Sequence, residues 1–294
     1  MELVTYFQGL LGRIEPSAGH VAKAKAAHEQ LRERLRNDDE VSKAHKDTYL
    51  SGSYARHTAI RDIKDVDVIC LLDLNTKVTE PIVLLRWLES RLLEYYDKVA
   101  VQGRSIGITS QQGVDLDVVP GASIGSDDGP MELPDRDAAI WVDSHPKGQI
   151  AFARQRNADT GGYYVQVVKL IKYWRDRLSP PALETKSYVV EALVARTMGA
   201  TPPGSHARAV VTVLEGIVRE YGAWARTGQV PTVPDPGYPS KNVTKRWKTG
   251  EFDAFITAAR TASLTARSAL EETNENTSVD LWRKVFGSWF APPA

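Results

Sequence analysis

Two aspartates at the head of an apolar run constrain this chain more than any other feature. Asp65 and Asp67 are spaced i, i+2 and open Val66-Asp67-Val68-Ile69-Cys70-Leu71-Leu72, a β-branched stretch that reads as a buried strand over residues 63–73. Residues two apart on a strand share a face, so the two carboxylates project side by side. There they repel each other and lose hydration, a cost that a cation between them offsets. Oxygen-only, hard ligands of this kind suit magnesium or manganese. About a dozen residues upstream stands Gly52-Ser53. A glycine lets the backbone approach an anion closely, and a hydroxyl with neighbouring amides binds phosphate oxygens. A phosphate cradle beside paired carboxylates points to nucleotide chemistry.

A third carboxylate extends the pattern. Val114-Asp115-Leu116-Asp117-Val118-Val119 alternates apolar and acidic residues before Pro120-Gly121, and so predicts a second strand that stops at the Pro-Gly pair. Two metal ions bridging one substrate lie about 3.5–4 Å apart, and a carboxylate on a neighbouring strand is suited to hold the second.

Gly52-Ser53-Tyr54 with Thr58 and Ile60, Asp65-Val66-Asp67-Val68, and Asp117-Val118-Val119-Pro120 together resemble the DNA polymerase β-like nucleotidyltransferase superfamily. Within it they are most similar to the bacterial cGAS/DncV-like nucleotidyltransferases (CD-NTases), relatives of animal cyclic GMP-AMP synthase and 2′-5′ oligoadenylate synthetase. The resemblance implies an α+β fold: a polymerase β-like core of mixed sheet and flanking helices, a C-terminal helical lobe, and an active site in the cleft between them. It implies Asp65, Asp67 and Asp117 as catalytic, metal-holding residues, and Gly52 and Ser53 as the loop for the donor phosphates. Asp115 has no fixed place in the family pattern; a supporting role and a solvated strand-edge carboxylate are both open. Further on, Tyr164 to Arg175 has helical periodicity and resembles the family's basic-x-x-Lys-aromatic-Trp helix. Lys169 and Lys172, three apart and so on one helix face, are there implied to bind triphosphate. Lys186-Ser187-Tyr188 resembles the next family element, in which the serine contacts phosphate and the tyrosine stacks on a nucleobase.

By the same resemblance the chain is expected to join NTPs into a cyclic or linear oligonucleotide second messenger, releasing pyrophosphate, in antiphage (CBASS-type) signalling. It would use two Mg2+ ions, with Mn2+ able to substitute. The implied partners are NTPs, an effector reached through the diffusible product, and a regulatory or conjugating protein. Rival readings are nucleotidyl transfer to an RNA 3′ end, transfer to a protein or small molecule, and a catalytically dead nucleotide-sensing scaffold. An RNA-end enzyme needs a basic track, and 37 basic side chains balanced by 37 acidic ones do not supply one. Constitutive nucleic-acid binding is therefore not expected. A dead scaffold sits poorly with three retained carboxylates.

A length of 294 residues with 42% hydrophobic content suffices for two lobes. No apolar run approaches the ~20 residues of a membrane span. With no signal peptide and a single cysteine, Cys70, a cytoplasmic location is expected. Cys70 reads as a small core residue, His57 as a solvated loop residue, and the scattered histidines lack zinc spacing. Apolar spacing from Leu3 to Ile14 predicts a helix. Others are predicted over 17–36 (Ser17 as N-cap), 81–96, 162–177, 187–198, 206–227, 251–272 and 279–286, with strands at 99–102, 104–109 and 114–119. Strands first and helices afterwards give a core over 1–156 and a helical domain over 157–294. The 291–294 tail is expected to be mobile.

Overall fold

The structure, a computed structural model, describes residues 1–61 and 65–293. The chain forms two units, one of Pro16–Ala151 and one of Met1–Glu15 with Phe152–Ala294. This moves the expected boundary: residues 1–15 and 152–156 belong with the helices, not with the core. The reason lies in α1 (Val4–Ile14), which buries Phe7, Leu10, Leu11 and Ile14. Phe7 packs edge-on against Trp282, Phe286 and Phe290 with ring centroids at 5.0, 5.9 and 5.0 Å.

The sheet unit begins with α2 (Ala18–Asn37), where the Ser17 side chain accepts a hydrogen bond from the His20 N–H. There follow β1 (His45–Leu50), the single turn α3 (Gly52–Ala55), β2 (Val66–Leu72), α4 (Pro81–Leu92), β3 (Val99–Val101), β4 (Ile106–Thr109), β5 (Asp115–Ser123), β6 (Met131–Asp135) and β7 (Ile140–Ser144). The strands form one mixed sheet, ordered β1-β2-β5-β4-β3, with β6 paired to β5 and β7 to β6. Only β2 and β5 run parallel among these pairs. Position 63, where the catalytic strand was expected to begin, lies outside the described residues; β2 opens at Val66, immediately after Asp65.

Strand alternation sorts the side chains. Val66, Val68, Cys70 and Leu72 of β2, Ile106 and Ile108 of β4, and Leu116 and Val118 of β5 join one apolar cluster, closed by Leu31 and Leu35 of α2 and Leu84, Leu85 and Leu88 of α4. Cys70 is fully buried there, and burial pushes its thiol up to about 12. The opposite face carries the aspartates at one end and Ile69, Leu71, Met131 and Leu133 further along. The strand expected to stop at Pro120-Gly121 runs on to Ser123. Pro120 falls between Val118, the last β5 residue paired with β4, and Ala122, the first paired with β6. On that edge no partner strand needs its missing N–H.

The helical unit takes the end of α5 (Pro146–Asp159), then α6 (Tyr163–Asp176), α7 (Ser187–Thr197), α8 (His206–Tyr221), a small hairpin of β8 (Pro234–Asp235) and β9 (Tyr238–Asn242), α9 (Thr249–Glu271) and α10 (Glu275–Phe286). Ala291 and Pro292 of the tail are docked, contrary to expectation: Arg13 donates to their carbonyls at 2.7 and 2.5 Å. Gly9 makes room for them, since a Cβ there would meet the Ala291 oxygen at 2.2 Å. No helix among the described residues is long and apolar enough to cross a membrane.

Candidate active site

The sheet unit brings Gly52, Ser53, Asp65, Asp67 and Asp117 together. Parallel pairing sets Asp67 directly beside Asp117, so both carboxylates leave the same face. Asp65, exposed and one residue before β2, sets its negative charge beside Asp117. Burial pushes the Asp117 carboxyl up to about 6, and repulsion from Asp65 and Asp67 adds to it. Asp67 is raised for the same reasons, burial first and then Asp65, against the nearby positive charge of Arg56. Like charges have been folded onto one face, where a shared proton or a cation relieves them.

The segment 51–59 after β1 lies against these carboxylates. The Ser51 N–H donates to the Asp67 carbonyl at 2.8 Å, while the Ser53 carbonyl accepts from the N–H groups of Thr58 and Ala59 at 2.9 and 3.2 Å. Gly52 adopts φ +61°, and a Cβ there would stand 1.7 Å from Asp67 Oδ2. Glycine is therefore required twice, by backbone conformation and by the carboxylate against it. His57, with φ 58°, is exposed and turns the chain out of α3. On the other side of Asp117, Gln102 Nε2 donates to its Oδ1 at 2.8 Å. Asp115 is exposed and accepts from the Thr109 hydroxyl at 2.8 Å. Asp65, Gln102, Thr109, Asp115 and Asp117 line a surface cavity of about 440 Å³.

The predicted residues of the helical unit are differently disposed. Lys172 is 2% exposed and pairs with Glu191 of α7 at 2.7 Å. Lys169 pairs with Glu15 at 2.7 Å. Neither ammonium is displayed as a solvated cationic stripe. Ser187, exposed at the start of α7, accepts from Arg175 at 3.0 Å. The Tyr188 hydroxyl donates to Asp235 Oδ1 at 2.6 Å, and the same oxygen accepts from the N–H groups of Gly237 and Tyr238, at 2.8 and 3.1 Å.

Residues 1–157 match the model of the Second Messenger Oligonucleotide or Dinucleotide Synthetase domain. The chain is also 33% identical to a cyclic AMP-AMP-AMP synthase of Acinetobacter, over 97% of this chain and 84% of that one. The chain belongs to this synthetase family. A cyclic AMP-AMP-GMP synthase of Enterobacter hormaechei is 26% identical over all of this chain and 93% of its own. The fold is that of CdnC from E. coli MS115-1, solved with ATP (TM-score 0.82, 22% identity, 99% of this chain and 100% of that one) and as a complex with HORMA-deltaN (TM-score 0.82, 21% identity, 99% of both).

As a member of the family the chain is a nucleotidyltransferase, a cyclic oligonucleotide synthase acting on NTPs, and the family's chemistry is typically divalent-metal dependent. The aspartate set fits such an ion by its chemistry: oxygen-only donors, close together and mutually repelling. Among the described residues, no three His, Cys, Asp or Glu side chains are drawn around a single point as a bound ion would draw them. Several synthetase residues escaped the motif reading. Gln102 reaches Asp117 from the turn after β3, Gly107 of β4 pairs across from Asp117, Arg175 and Asp235 hold Ser187 and Tyr188, and Glu191 holds Lys172. Sequence spacing carries no signal for contacts of this kind, which the fold makes.

Proposed function

We propose that this synthetase makes a cyclic trinucleotide, chiefly or wholly from ATP, as a second messenger in antiphage defence. The observation that carries the reading is the placing of Asp65, Asp67 and Asp117 on one sheet face with the Gly52 backbone against Asp67. The 33% identity with the Acinetobacter cyclic AMP-AMP-AMP synthase, over nearly the whole chain, supports adenine as the base.

In this reading the three aspartates would hold two Mg2+ ions, or Mn2+ in their place. Such ions neutralise phosphate charge and lower the pKa of an attacking hydroxyl. The acceptor hydroxyl oxygen attacks the α-phosphorus of the donor in line, the bond to the bridging oxygen breaks, and pyrophosphate leaves. Asp117 takes the hydroxyl proton as it leaves the acceptor oxygen. Gly52 and Ser53 position the donor phosphates, and Ser187, held by Arg175, and Lys169 add contacts to them. Lys172 contributes only when its pair with Glu191 opens. Tyr188, oriented by Asp235, supplies the flat face for a base. Positioning and charge dominate, with no covalent intermediate on the protein. The reaction requires the cytoplasm, where NTPs and magnesium are found. A diffusible product reaches its effector without a complex, and a regulatory protein of the kind solved with CdnC is the proposed partner.

The test is product formation from all four NTPs with Mg2+ or Mn2+, beside Asp67→Asn, resolved by chromatography and mass spectrometry after phosphatase. A resistant adenine trimer, absent from the variant, is expected. A ring of other bases overturns the base assignment. Label transferred to added RNA or to protein, with no free oligonucleotide, overturns the reading itself.

A further inference from the structure

We propose that Gln102 is a positioning residue for Asp117: it holds one carboxylate oxygen and so fixes the direction in which the other is presented. The inference rests on the reading of Asp117 given above. The contact is direct, Nε2 to Oδ1 at 2.8 Å. An amide is a donor that brings no charge, so it orients the carboxylate without competing with a cation for it. Asp117 needs such a restraint because Asp65 and Asp67 repel it from the same face.

Gln102 is itself fixed. Its N–H donates to the Ser105 carbonyl at 2.8 Å, and the Ser105 hydroxyl donates to its Oε1 at 3.4 Å. These bonds tie the turn from β3 to β4 to the amide that leaves it. The strand beneath is shaped to match. Gly107 of β4 pairs across from Asp117. A Cβ at Gly107 would stand 2.6 Å from Gln102 Nε2 and 3.6 Å from Asp117 Oδ1. Gly107 does not adopt the left-handed backbone region, so what glycine provides here is space. It leaves open the slot through which the amide crosses β4 to reach the carboxylate.

Gln102→Ala removes the donor, and Gly107→Ala leaves the donor but pushes it aside. The atom displaced is the end of a flexible side chain, so Gly107→Ala should fold. Each single variant should lower kcat by about 10–100-fold, the scale for losing a partner of a metal-ligating residue, with the KM for NTP within about twofold of wild type. The double variant should be no worse than Gln102→Ala, because both act through one contact. Binding of Mn2+ in the presence of a non-hydrolysable ATP analogue, followed by electron paramagnetic resonance, should weaken in both single variants. A kcat for Gln102→Ala within twofold of wild type, losses that multiply in the double variant, or unchanged Mn2+ binding would each overturn the inference. A wild-type protein that binds Mn2+ and analogue but turns over no NTP would instead fail the functional reading, and the binding comparison still decides the role of Gln102.

Discussion

Gly52 shows how much one residue carries. Its φ of +61° costs an L-residue about 1–2 kcal/mol, and a Cβ would strike Asp67 Oδ2. Gly52→Ala should lower the unfolding free energy by at least about 1 kcal/mol and cut kcat by roughly 100-fold, the scale for misplacing a reacting group by an ångström; thermal melts and initial rates with ATP read the two effects separately. Asp117 gives a pH dependence. Its folded carboxyl sits at about 6, above the ordinary unfolded value. A raised group adds stability below its unfolded pKa, and that stability is lost as pH rises through the folded one. At pH 7 in the absence of metal, ionised Asp117 is therefore a burden. Asp117→Asn should melt higher than wild type in chelator at pH 7.5, with the gain gone by pH 4, and added Mg2+ should raise the wild-type melting point more than the variant's. Sequence motifs marked Gly52 and Asp117 because their chemistry is local. Gln102 was invisible, since its partner is brought to it by strand pairing.

Among the elements, β2 and β5 were legible because apolar alternation is strong where a strand packs on one face and serves a ligand on the other. Their register was not legible, and register is what sets Asp67 beside Asp117. Strands β6 and β7 and helix α5 were missed for lack of pattern: 140–144 is largely half-buried or exposed, and α5 has no apolar stripe. The family helix α6 was recognised, yet the environment of its lysine was not. Lys172 and Glu191, each 2% exposed in its side chain, join α6 to α7. Removing one partner of such a pair strands the other charge and costs about 3–5 kcal/mol, whereas replacing both with apolar residues is often near neutral. Lys172→Met should therefore be strongly destabilised in urea, and Lys172→Met with Glu191→Leu should recover most of the loss. That stable double variant should still turn over ATP with a raised KM if the lysine serves the triphosphate when the pair opens. An unchanged KM would make the pair structural alone.

At the scale of the molecule, the order of elements along the chain suggested two domains cut once, and packing gives a different division. An amphipathic first helix was predicted, but a helix face does not declare what will cover it, and α1 is covered by the chain's last helix and the turn after it. Phe7, with no exposed surface, sits among Trp282, Phe286 and Phe290, so the helical unit is closed by residues from both ends of the sequence. Phe7→Ala opens that cluster, and a buried Phe→Ala costs about 3–5 kcal/mol. If residues 1–15 belong to the helical unit, the loss should be felt there: hydrogen exchange should quicken in α1, α8 and α10 while β2 and β5 keep their protection. Were the N-terminus part of the sheet unit instead, as the order of elements implies, exchange would rise first around α2 and β1.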